Sequence, residues 1–202
     1  MPSKTTMHHK IDNAGSYFSG LRALVDCMPL ASIDRVADVL LKAHDGGNTI
    51  FLFGNGGSAA LASHLACDLA KGTLNDSTRR FRALALTDNI PLMTAWANDS
   101  AYENIFAEQL SNFVKRNDVA FAISGSGNSP NVLRALELAR SAGAVTVGLT
   151  GFEGGEMKNL CDVCMIVPSD NMQHIEDLHL CAAHALFTVV RTRLSKSAAA
   201  FA

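Results

Sequence analysis

The chain has 202 residues, 48% of them hydrophobic and 18% charged, which suffices to bury one sizeable core and fits a single domain. Seventeen Lys and Arg stand against nineteen Asp and Glu, a formal net charge of −2, so no broad positive field exists to hold a nucleic-acid backbone. The apolar runs are too short to span a membrane and residues 1–10 lack the apolar segment of a signal peptide; the expectation is a cytoplasmic protein that binds neither nucleic acid nor membrane.

Ahead of any strand, Ile11 to Cys27 and Ala31 to His44 read as two amphipathic helices joined at Met28-Pro29. Apolar runs rich in β-branched or aromatic residues follow at Thr49 to Phe53, Phe81 to Thr87, Val119 to Ser124, Ala144 to Thr150 and Asp162 to Val167, the pattern of strands buried on both faces. Helical patterns alternate with them: Ser58 to Lys71, Ala101 to Arg116, and Ser129 to Ala142, which starts Ser-Pro-Asn and stops at Gly143. One long helix, Asn171 to Ser195, closes the order. Strict alternation predicts a parallel sheet between helical layers, an α/β three-layer sandwich with extra N-terminal helices and a long C-terminal one. No repeat or linker divides it, so residues 1–202 are expected to form one domain, ordered from about 10 to 195, with both ends frayed. The apolar faces of the extra helices exceed what five strands can cover, which predicts an oligomer.

The cysteines at 27, 67, 161, 164 and 181 are odd in number and fit reduced thiols better than a disulfide framework. Cys161 and Cys164 form a CxxC, but they border an apolar strand rather than an exposed turn, and core packing is the favoured reading.

The first strand runs into Gly54-Asn55-Gly56-Gly57-Ser58, where bare backbone amides and a helix N-terminus can receive an anion. It is neither a Walker loop nor a GxGxxG turn. The third strand ends in Ser124-Gly125-Ser126-Gly127-Asn128-Ser129, hydroxyls and glycines at the start of another helix. As neighbours at the carboxyl end of a parallel sheet, the two loops predict a phosphate-ester site at the topological switch point. On the helix after the first loop, His64 and Asp68 share a face, about 40° apart. On the last helix, Glu176 and His184 lie about 80° apart and His179 about 140° from His184, so two acid–base pairs can converge. His8, His9 and His44 read as surface residues.

These loops, with Leu149-Thr150-Gly151 and Gly154-Gly155, resemble the sugar isomerase (SIS) domain family, most of all its phosphoheptose isomerases, over about residues 10 to 195. The resemblance implies a flavodoxin-like five-stranded sheet, a phosphosugar held at Ser124, Ser126 and Ser129 and at Asn55, Gly56, Gly57 and Ser58, and a homotetramer with sites between subunits. Asp88, Asn98 and Asp99 resemble segments that line the family's sugar pocket; either Asp equally suits capping of a following helix. His64 matches a zinc ligand and His184 a catalytic histidine. Asp68 stands where these isomerases carry a catalytic Glu, and Glu176 where they carry Gln. Either carboxylate can therefore be the base, and His64, Asp68, Glu176 and His184 together make a candidate tetrahedral Zn²⁺ set. Gln173 replaces an acidic residue near the family's substrate contacts, beside His174.

The activity so implied is aldose–ketose isomerisation of a phosphosugar, from sedoheptulose 7-phosphate to D-glycero-D-manno-heptose 7-phosphate for lipopolysaccharide precursors, by way of an enediolate. The alternative is a non-catalytic SIS protein that binds phosphosugars, resembling the factor that associates with the replication initiator. The joint presence of His64, Asp68 and His184 favours the enzyme.

Overall fold

The computed structural model describes residues 11–74 and 79–200. Five parallel strands, β1 (Thr49–Gly54), β2 (Arg82–Ala85), β3 (Val119–Ile123), β4 (Val145–Thr150) and β5 (Val163–Ile166), form one sheet in the order β2-β1-β3-β4-β5. Every connection crosses over through helical segments, as parallel pairing demands. Side chains alternate across the sheet. On one face Ile50 and Leu52 of β1 and Val119, Phe121 and Ile123 of β3 join a core with helices α1 (Ala14–Val25), α2 (Leu30–Gly46), α3 (Gly57–Cys67) and α8 (Met172–Ala200) above it. On the other, Phe51, Phe53, Ala120 and Ala122 pack under α4 (Ile90–Asp99), α5 (Ala107–Ser111), α6 (Pro130–Ser141) and α7 (Met157–Leu160). Both faces of β3 are dry, and each fully buried large apolar side chain stabilises the fold by about 1.5–3 kcal/mol.

The predicted alternation is therefore present, with three local differences. The stretch expected as one helix from Ala101 to Arg116 is broken: a 3₁₀ turn at Tyr102–Asn104 precedes the short α5. Gln109 Nε2 donates to the carbonyl of Ile105 at 2.7 Å and to that of Leu86 at 3.1 Å, so a buried side chain takes over an acceptor that a regular helix turn would satisfy. Second, α4 forms after Asn89, whose side chain accepts from the N–H of Leu92 at 3.1 Å, with Pro91 in the first turn. Third, α3 gives way at Asp68 to a π-helical turn, Asp68–Gly72; such turns are rare and recur at functional sites.

His44 is buried rather than on the surface, with Nδ1 3.1 Å from Asp45 and Nε2 2.7 Å from the carbonyl of Arg79. His8 and His9 lie outside the described residues. α8 continues to Ala200, past the expected end at Ser195. All five cysteines are free thiols. Cys161 and Cys164 are half-buried against the second core; a hydrogen bond between them raises the Cys161 thiol and lowers that of Cys164. Among the described residues no helix is long and apolar enough to cross a membrane.

Candidate active site

β1 and β3 are neighbours, but the chain leaves β1 towards α3 on one face and β3 towards α6 on the other. The two loops diverge and leave a crevice at the carboxyl ends of the strands, the usual ligand position in such sheets. In it lies a cavity of about 150 Å³ lined by Asn55, Ser58, Ser124, Ser126, Ser129, Met172 and Glu176, among others. Ser124 Oγ and Ser129 Oγ are 3.3 Å apart, and Ser126 Oγ accepts from the N–H of Asn128 at 3.2 Å. These hydroxyls keep donors for an incoming anion.

Glycine shapes the first loop. Gly56 has φ 55° and ψ −123°, a conformation open essentially to glycine alone. At Gly57 a Cβ would come within 3.0 Å of Glu176 Oε2, so the bare backbone lets a carboxylate from α8 reach the start of α3. α3 has no side-chain cap of its own, and a negative group at a helix N-terminus is stabilised by about 0.3–1 kcal/mol. Glu176 also lines a second cavity, of about 350 Å³, with Gly57, Ser58, Leu61, His64, Asp177, His179 and Leu180. Ser58 and Glu176 border both cavities and stand between them.

His64 leads from the larger cavity to a cluster. His64 Nε2 lies 3.0 Å from His184 Nε2 and 3.3 Å from Asp68 Oδ2. Potential ligand atoms of His64, Asp68 and His184 all lie within 4.8 Å of one another. Two imidazoles and a carboxylate suit a borderline-soft divalent cation, so the donor set fits a metal. Glu176, the fourth residue of the expected set, stands outside this cluster. Eight residues on one helix span about 12 Å along its axis, so proximity around the helix does not bring Glu176 and His184 to the same height.

α8 is fixed at three points. Asn171 Oδ1 accepts from the N–H of His174 at its start, at 3.0 Å. His174 Nε2 bonds the carbonyl of Tyr17 at 3.0 Å, and the Tyr17 hydroxyl donates to Asp177 at 2.5 Å, which with partial burial pushes the phenol up to about 12. His179 Nε2 lies 3.1 Å from the carbonyl of Thr150 at the end of β4. Burial holds its pKa down at about 4, against the opposing pull of that carbonyl.

Asp88, Asn98 and Asp99 line neither cavity. Asp88 accepts from the Ser63 hydroxyl on α3, next to His64, while Asn89 does the capping. Asn98 donates to Asp99 at 2.8 Å. Gln173 is exposed, and His174 is buried in its contact with α1. Sequence reasoning did not single out Asn131 or Tyr102, which hold Asn55 from behind: Asn131 Nδ2 donates to Asn55 Oδ1 at 2.8 Å and the Tyr102 hydroxyl donates to the same oxygen at 3.1 Å.

A family model described as the SIS domain matches residues 16–151. The phosphoheptose isomerase of Bradyrhizobium sp. (strain ORS 278) is 40% identical over 177 residues, covering 88% of this chain and 89% of its own. That of Aliarcobacter butzleri is 39% identical over 167 residues, covering 83% and 86%. The solved phosphoheptose isomerase of Neisseria gonorrhoeae superposes with a TM-score of 0.82 at 27% identity, over 88% of this chain and 96% of that one. With likeness at that level over most of its length, the chain belongs to the SIS domain family and, within it, to the phosphoheptose isomerases.

Proposed function

We propose that this phosphosugar isomerase interconverts sedoheptulose 7-phosphate and D-glycero-D-manno-heptose 7-phosphate through an enediolate. The observation that carries the reading is the order of groups across the two adjacent cavities: phosphate donors in the smaller one, Glu176 on the wall that both share, and in the larger one His64, behind which Asp68 and His184 complete the cluster.

The Ser124, Ser126 and Ser129 hydroxyls, with Asn55, the Gly57 amide and the Ser58 hydroxyl, take the phosphate. This orients the chain of hydroxyls toward Glu176 and converts a collision into a positioned reaction. Glu176 acts as the base: it removes a proton from C1 of the ketose and returns it to C2, while the O1 hydroxyl proton passes to O2, so the enediolate collapses to the aldose with no net change in atoms. His64, Asp68 and His184 would hold Zn²⁺, which when bound polarises the two sugar oxygens as a Lewis acid. Asp68, one methylene shorter than Glu, is then a ligand rather than the base.

The test is coupled turnover of sedoheptulose 7-phosphate with elemental analysis of the purified protein. His64→Ala should lose metal and activity together, and Glu176→Gln should lower kcat by at least ~10² while keeping metal, the usual scale of a lost general base. Chelator-resistant activity would remove the metal from the scheme, and an active Glu176→Gln would remove Glu176 as base. Binding of the phosphosugar without turnover would move the protein to the non-catalytic class.

A further inference from the structure

An amide side chain can donate and accept, yet Asn55 at the floor of the small cavity is held so that it can only donate. Asn131 is 1% exposed, and its Oδ1 accepts from the backbone N–H of Val132 at 3.0 Å. A backbone N–H can only donate, so this bond identifies the oxygen of Asn131 and orients its amide. The same Oδ1 accepts from Asn55 Nδ2 at 2.9 Å, and Asn131 Nδ2 donates to Asn55 Oδ1 at 2.8 Å, a two-way amide pair. The Tyr102 hydroxyl adds a second donor to Asn55 Oδ1 at 3.1 Å.

Both lone pairs of Asn55 Oδ1 are thus engaged, and so is one of the two protons on Nδ2. One N–H of Asn55 remains without a partner in this network. Among the described residues the cavity wall offers no Lys or Arg and carries the carboxylate of Glu176, so an anion there is met by neutral donors, and an amide free to present its oxygen would add to the repulsion. Both supports come from the α6 side of the crevice: Asn131 from the first turn of α6, and Tyr102 from the 3₁₀ turn that Arg134 of α6 grips, through Glu103 at 2.6 Å and Asn104 at 2.6 Å. Asn55 belongs to the loop entering α3 on the opposite face.

We propose that Tyr102 and Asn131 are positioning residues that lock Asn55 as a donor, so that it presents an N–H to a phosphate oxygen in the cavity. The phosphosugar assignment rests on the proposed function; the donor lock does not need turnover and is tested by binding.

The probe is inorganic phosphate, titrated calorimetrically into the full-length protein, with melting temperature and turnover of the phosphosugar measured in parallel. Tyr102→Phe keeps the ring and removes only the hydroxyl; it should weaken phosphate binding several-fold and raise KM more than it lowers kcat. Asn131→Asp, which faces Asn55 Oδ1 with a second oxygen, should weaken phosphate by roughly tenfold or more. Because both act through one side chain, Tyr102→Phe should have no further effect in an Asn55→Ala background, whereas a merely structural hydroxyl would give additive losses. Phosphate binding at wild-type strength in Tyr102→Phe, additivity with Asn55→Ala, or no phosphate binding by the wild type would each overturn the proposal. If the wild type binds phosphate, the losses are non-additive and no sugar is turned over, the lock stands and the isomerase reading falls.

Discussion

A phosphate group remote from the reacting carbons is bound about equally before and during proton transfer, so the residues that hold it act on KM rather than kcat. Ser126→Ala and Ser129→Ala should therefore raise KM for the phosphosugar, by roughly tenfold for a lost hydrogen bond to a charged group, with a smaller effect on kcat. Steady-state kinetics checks this, and an unchanged KM in both variants would remove the loop from the site. These serines were legible in the sequence because they fall within one short loop that directly follows a strand. His64 and Asp68 were legible for a similar reason, since four residues on a helix bring side chains together, at 3.3 Å here. The hold on Asn55 was not legible: its partners lie 47 and 76 residues away, and only the packed fold brings a loop, a 3₁₀ turn and the start of a helix to one point. Asp88 shows the same limit from the other side, since a residue read equally as sugar contact or cap turns out to bond Ser63, 25 residues back.

At the scale of elements, period and turn signals sufficed wherever a segment packs with regular geometry, as in β1, β3, α2 and α6, whose bounds differ from expectation by one or two residues. They did not suffice where a buried polar side chain replaces a backbone partner, as Gln109 does in the stretch before α5. His179 is another buried polar side chain between elements: it ties α8 to the end of β4 through the carbonyl of Thr150, which also accepts from the N–H of Val167 at 2.8 Å. Its folded-state pKa of about 4 lies below the ordinary value near 6.5. Above that value the imidazole is neutral in both states. As pH falls from about 6.5 towards 4, the unfolded chain binds a proton that the folded one refuses, so stability declines with falling pH, by about 3 kcal/mol in all. Denaturant melts between pH 4 and 7 should show this decline, and His179→Gln, which keeps an amide donor for Thr150 without a titrating group, should flatten it. A variant whose pH slope equals that of the wild type would show that His179 takes up its proton in both states.

Over the whole molecule, apolar surface is left uncovered where the extra helices lie. α1 contributes no buried residue; Phe18 on it is 65% exposed and Leu30 at the start of α2 is 67% exposed. Both face outward although their helices close one face of the sheet, and large exposed apolar side chains of this kind are typically covered by another copy of the chain. Leu180 of α8 is exposed and also lines the larger cavity, so a neighbour seated on α8 would complete a wall of the site. The expected assembly is a homotetramer of four 21.5 kDa chains, measured by light scattering at micromolar concentration. Phe18→Asp combined with Leu30→Asp should dissociate it, because two carboxylates in an apolar interface cannot be desolvated without a partner. If subunits close the site, the dissociated protein should lose isomerase turnover while its melting temperature changes little. A wild-type mass of 21.5 kDa in solution would leave these faces bare and defeat the expectation.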